Sequence, residues 1–132
     1  MKNPFSNIFK NHSKKIPEKI TIELMNHFPH AVNIEWEIKD KTYEAIYYLD
    51  EVEHIAKISE NGILIEYKKN LWLNELPEFL KEECNKTEEI MNAIAIFKGE
   101  KHFFEIIVRD DKFNRKLLLF NQSFLLLNTS KI

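Results

Sequence analysis

One cysteine, two glycines and four prolines are all that 132 residues offer for stapling or bending the chain. Cys84 has no second cysteine to bridge to, so an intrachain disulfide and a resolving thiol pair are both excluded. With Gly62 and Gly99 alone, neither a glycine-rich phosphate loop nor a Gly-x-Ser-x-Gly nucleophile elbow exists in this chain. No apolar run approaches the ~20 residues of a membrane-spanning helix. The opening "MKNPFSNIFKNHSKK" lacks the apolar core of roughly 7–15 residues that marks a signal peptide. The chain as written is therefore expected in the cytoplasm; if an export signal has been removed from it, the periplasm or cell surface takes its place. A net charge of −2 exerts no general pull on nucleic acid or anionic lipid, so neither nucleic acid nor membrane insertion is expected. Residues 1–15 carry Lys2, Lys10, Lys14 and Lys15 and no acid. They read as a basic, solvated N-terminal tail.

The remainder has the means to fold. The hydrophobic fraction is 44%, and a chain of this length can bury a core without staples. In "KKIPEKITIELMNHF", Pro17 suits the first turn of a helix and Glu18 suits its positive end. Ile16, Ile20, Leu24, Met25 and Phe28 recur at helical steps and form one apolar face. Pro29 stops that helix. The period then changes: Val32, Ile34, Trp36 and Ile38 alternate with polar residues, the pattern of a half-buried strand. "TYEAIYYL", "HIAKIS" and "ILIEY" supply three more strands, separated by "KDK", "DEVE" and "ENG" turns.

The order then restarts. "LPEFLKEEC" repeats "IPEKITIEL", with Pro77, Glu78 and Leu80 standing where Pro17, Glu18 and Ile20 stood. Further on, Phe104, Glu105, Ile107 and Asp111 answer Tyr43, Glu44, Ile46 and Asp50. The expected fold is α+β: two tandem α-β-β-β(-β) repeats forming one antiparallel sheet with helices on one face. A single domain spans 16–132, with repeats at 16–67 and 76–127 and a linker at 68–75.

The residues Phe28-Pro29, Ala31, Ile34 with Trp36, Tyr43 and Asn61-Gly62 together resemble the repeat of PepSY-like proteins of the β-lactamase-inhibitor-protein (BLIP-like) type. The resemblance covers roughly 16–127. It implies tandem helix-plus-sheet units that form one long sheet, and a secreted, non-enzymatic binding or inhibitor module. This chain departs in lacking an export signal. Its second copy has Gln122-Ser123 where the first has the Asn-Gly turn, and it has no Trp.

His27 and His30 could offer two imidazoles to zinc, but Pro29 between them breaks the helix that would align them, and no further ligands stand at suitable spacing. They read as punctuation at a helix end. Glu35 with Glu37, and Asp110 with Asp111, read as a solvated strand face and a hairpin turn rather than acid–base pairs. Cys84 lies on a helix's apolar face, where a small buried hydrophobe is expected. Neither catalysis nor a cofactor is expected.

The two copies differ in their strands. In the first, Val32, Ile34, Trp36, Tyr43, Ala45 and Tyr47 are expected inward, and the mostly polar Asn33, Glu35, Glu37, Glu44, Ile46 and Tyr48 outward. In the second, Ala93, Ala95, Phe97, Phe104, Ile106 and Val108 are expected inward. Its outward set is Ile94, Ile96, Phe103, Glu105, Ile107 and Leu118, largely apolar as well. Strands apolar on both faces are normally covered on both. A partner-binding surface is therefore expected at Ile94, Ile96, Phe103, Ile107 and Leu118, with Tyr48 and Glu44 at its polar rim. Its occupant is an unidentified protein or a second copy of the chain. Alternatively the tail folds back through Phe5, Ile8 and Phe9 and encloses a small apolar ligand, or a one-residue slip has exchanged the faces. Trp72 is expected to pack between the repeats.

Overall fold

The computed structural model describes residues 16–132; the basic tail, with Phe5, Ile8 and Phe9, lies outside the described residues. Helix α1 (Glu18–His27) is followed by strands β1 (Val32–Lys39), β2 (Thr42–Leu49), β3 (Val52–Ser59) and β4 (Leu64–Asn70). A single 3-10 turn (Leu73–Glu75) leads to α2 (Glu78–Cys84), then β5 (Glu89–Lys98), β6 (Lys101–Arg109), β7 (Arg115–Asn121) and β8 (Leu126–Lys131). The strands form one antiparallel sheet in chain order, so the class is α+β. Residues 68–70, expected in a linker, continue β4 and pair with β5, Lys68 opposite Ile96. The chain divides into two compact units, one ending at Ile65 and the other beginning at Glu66. No helix among the described residues is long and apolar enough to cross a membrane.

In the first unit, α1 buries Ile20 and Leu24, while Ala45, Tyr47, Ala56 and Ile58 are fully buried on β2 and β3. The helix ends where Pro29 requires it. Phe28 leaves helical geometry at φ −133 while its N–H still donates to Leu24 O. His27 is the last helical residue, with Nε2 3.2 Å from Glu23 Oε2. The other Glu23 role is to accept from Leu64 N at 2.8 Å, which ties the helix to the start of β4.

One expectation fails in β1. Directly opposed residues of an antiparallel ladder share a face, and Val32 lies opposite Tyr48, on the outer side. A bulge between Val32 and Glu35 causes this, with Asn33 at φ 55. The extra residue flips everything before it. Val32 is accordingly 55% exposed instead of buried. Ala45 and Tyr47 keep the inward positions expected of them.

The second unit has its own core of Leu76, Leu80, Cys84, Ala93, Phe104, Ile106, Val108 and Phe120. All the residues expected inward on β5 and β6 are buried or half-buried. Trp72, expected to pack, is 61% exposed at the start of the 3-10 turn.

Three hairpins use the same five-residue turn. Ser59, Asp110 and Asn121 each donate their N–H to the carbonyl four residues on: Ile63, Asn114 and Leu125. The fourth residue of each turn takes positive φ: Gly62 at 85, Phe113 at 66 and Phe124 at 67. A type I turn closed by a left-handed residue is a common three-residue hairpin loop, and glycine fits that position without strain. Phenylalanine does so at a cost of about 1–2 kcal/mol. Phe124 is held by stacking on Phe79, centroids 5.9 Å apart, and by Phe104 at 6.1 Å. Phe113 is 73% exposed, with the Arg109 guanidinium 5.1 Å from its ring centre.

Candidate functional site

The register of β5, β6 and β7 fixes which side chains share the face away from α2. Ile96 lies opposite Phe103, Ile94 opposite Glu105, and Asn92 opposite Ile107. On the next strand, Leu119 faces Glu105 and Leu117 faces Ile107. Ile94, Ile96, Phe103, Ile107, Leu117 and Leu119 thus form one apolar field around a single carboxylate, Glu105. Most are half-buried among themselves, and Ile96, between Lys68 and Phe103, is only 6% exposed. The polar border on β4 is an ion triad: Glu66 lies 3.9 Å from Lys68 and 3.5 Å from Lys98.

Leu118 does not belong to this field. It pairs with Ile106, which is fully buried, and it packs against the core under α2. The reason lies in the preceding turn. Five residues from Asp110 to Asn114 bring Arg109 opposite Arg115, so the odd-numbered leucines 117 and 119 face outward. Three consecutive leucines carry no alternation, so their phase is set by this turn and not by the strand itself.

Tyr48 and Glu44 are in the first unit and belong to its own outer face. Tyr48 is 37% exposed and lies between Val32 and Glu53. Glu44 is opposite Lys57, and its Oε1 is 3.5 Å from Lys39 Nζ, which also lies 3.8 Å from Glu37. This face alternates Ile46, Ile55 and Tyr48 with carboxylates, so it is more polar than the corresponding face of the second unit.

The remaining candidates are engaged structurally. Asp110 Oδ1 accepts from the N–H groups of Lys112 and Asn114, both at 2.9 Å, and Oδ2 accepts from Asn114 Nδ2 at 3.3 Å. Those bonds, the Asn114 N–H first, hold its carboxyl below the usual range. Burial pushes the Cys84 thiol up to about 11, with Glu83 and Glu88 adding to the effect. A thiol so placed is a poor nucleophile. Among the described residues no group of three or more His, Cys, Asp or Glu is placed to hold a metal ion.

Taken together, the fold is that of a BLIP-like protein: helix-covered antiparallel units that present an open sheet face. Solved structures with this fold include a BLIP-like protein from Bacteroides fragilis, 20% identical over 92% of this chain and 91% of its own, TM-score 0.74. A DUF2874 family protein from Bacteroides uniformis is 10% identical over 89% and 90%, TM-score 0.79. A protein from Bacteroides eggerthii, described provisionally as periplasmic, is 17% identical over 90% and 91%, TM-score 0.79. No protein-family model matches the chain, and no curated protein matches it.

Proposed function

We propose that the chain is a non-enzymatic protein-binding module of PepSY-like, BLIP-like type, and that the outer face of its second unit is the contact surface. The observation that carries this reading is the apolar field on β5–β7, six large side chains on a sheet face opposite the one that holds the core. Monomeric soluble proteins seldom leave apolar surface of that kind contiguous unless something docks on it. Ile94, Ile96, Phe103 and Ile107, with Leu117 and Leu119, form the anchor. An inhibitor-like action on another protein fits the shared fold. A periplasmic setting is supported by the fold neighbour from Bacteroides eggerthii.

The test pairs two substitutions on β6 that differ by one position. Ile107→Asp puts a charge on the outer field, whereas Ile106→Asp puts it into the fully buried core. Ile107→Asp is expected to keep the wild-type circular dichroism and melting cooperativity while losing a protein that wild type captures from native extract. Ile106→Asp is expected to unfold. Should Ile107→Asp unfold as well, the field belongs to the core and the proposal fails.

A further inference from the structure

Three charged side chains on the outer face of β5–β7 have no ion-pair partner among the described residues: Glu105, Arg115 and Lys101. Glu105 stands inside the apolar field, with Ile94 and Leu119 opposite it on the neighbouring strands and Phe103 and Ile107 flanking it on its own. It is half-buried there, and a carboxylate so placed is costly until a counter-charge reaches it. Arg115 and Lys101 lie at opposite ends of the field, where each faces a like charge, Arg109 and Lys98. Those two are already paired, with Glu89 at 2.8 Å and Glu66 at 3.5 Å. An unanswered acid and unanswered bases therefore share one apolar surface, the arrangement that lets a surface complement its own copy.

Two copies of a sheet face can meet across a two-fold axis that lies in the interface, perpendicular to the strands. The axis turns one ladder end for end against the other, so the rung on which it falls decides which charges meet. On the rung of Glu105 and Leu119, the two Glu105 carboxylates would confront each other, which is repulsive. On the rung of Ile96 and Phe103, Glu105 would meet Lys101, but Ile107 and Leu117 would project past the end of the second copy's β5–β6 hairpin and stay in water. On the rung of Ile107 and Leu117, Glu105 of each copy comes level with Arg109 and Arg115 of the other. Arg115 is one strand spacing to the side, about 4.8 Å, a step that its long side chain spans. The isoleucine–leucine pairs then stack on the axis, and Ile96 with Phe103 comes level with the second copy's β6–β7 turn.

That turn carries Phe113, which supports the same register from a separate direction. The equivalent turn positions hold Gly62, which is unstrained there, and Phe124, which is anchored on other rings. Phe113 has φ 66 and is 73% exposed, beside the guanidinium of Arg109 on the outer face. Strain of this kind, kept where the fold gains little from it, marks a position used for something other than folding.

Given that the outer face of the second unit is a contact surface, we propose that its partner is a second copy of the chain. The copies pair face to face about a two-fold axis at Ile107 and Leu117, with Glu105 of each bound by Arg115 of the other and Phe113 of each covering Phe103 of the other. The assembly closes at two copies.

The experiment is sedimentation equilibrium on the full chain and its variants, each first checked for wild-type circular dichroism. Wild type is expected to dimerise with a Kd on the order of 10 μM. Glu105→Arg and Arg115→Glu should each weaken the dimer about a hundredfold or more, because two attractive pairs become repulsive. An equal mixture of these two variants should dimerise within about tenfold of wild type, since one copy then carries cations at both positions and the other carboxylates at both. Phe113→Gly should weaken the dimer about a hundredfold, one apolar contact being lost from each copy. Lys101→Glu should change nothing. A wild-type monomer at roughly 0.5 mM, a mixture of folded variants that stays monomeric, or a dimer sensitive to Lys101→Glu and indifferent to Phe113→Gly would overturn the proposal. If wild type is monomeric but captures a different protein that Ile107→Asp loses, the second copy is refuted and the contact surface stands. If Ile107→Asp changes neither dimer nor capture, both fall.

Discussion

Phe113 and Phe124 allow a stability measurement in which the hardest quantity to estimate cancels. Both sit at the fourth position of the same turn with φ 66 and 67. Replacing either by glycine releases the left-handed strain, about 1–2 kcal/mol, and adds unfolded-chain freedom that opposes it by roughly 0.5–1 kcal/mol. These two effects are common to both sites, so the difference between the variants reports only side-chain packing. At Phe113, largely solvated, the loss is the contact with Arg109, about 0.5–1 kcal/mol. At Phe124, half-buried against Phe79 and Phe104, it is roughly half of a full core truncation, about 2 kcal/mol. Phe113→Gly should therefore unfold within about 0.5 kcal/mol of wild type, and Phe124→Gly should be less stable than Phe113→Gly by about 1.5 kcal/mol. Urea titration followed by circular dichroism reads both, provided the slope with denaturant is unchanged. Equal losses at the two positions, or a loss at Phe113 beyond about 1 kcal/mol, would refute the distinction between an anchored ring and a free one.

Two further outcomes test other features. Gly62→Ala should cost about 1 kcal/mol through strain at φ 85, because the added Cβ meets Lys19 Cγ at an ordinary 3.6 Å; the same urea titration checks it. For Cys84, the folded thiol ionises near 11, from an ordinary 9.0, so the unfolded thiol loses its proton first. Its contribution to stability is complete below pH 9 and falls between pH 9 and about 11, and Cys84→Ala should remove that part of the fall. In agreement, a thiol reagent at pH 8 should find about a hundredfold less thiolate in folded than in unfolded protein.

Much of this architecture is written locally. The stop at Phe28-Pro29, the alternation in β2 and β3 and the buried set on β5 and β6 all follow from residue spacing, because period and proline act within a few residues. The misplaced residues have a different physics. Val32 is turned outward by an insertion at Asn33, and a bulge leaves no mark on an alternating apolar pattern. Leu118 takes the core face, opposite Ile106, because three leucines in a row carry no phase, and the phase comes from a turn several residues earlier. That turn is itself hard to foresee, since its left-handed position normally calls for glycine or asparagine and here holds Phe113. Strand β4 continues past the expected boundary because Lys68, Lys69 and Asn70 find partners on β5, a contact with no local signature. The apolar field was visible as a composition anomaly; Leu117 and Leu119, two of its members, were not.

The bulges have a consequence for how copies of this protein can meet one another. The first strand in the order is kinked between Val32 and Glu35, and the last pairs irregularly at Leu119 and Phe120. Straight outer strands invite other chains to add on, and kinks discourage it. Growth from copy to copy along the strands is therefore impeded at both ends. That protection rests in part on the bulge at Asn33, which keeps β1 kinked and Val32 turned outward.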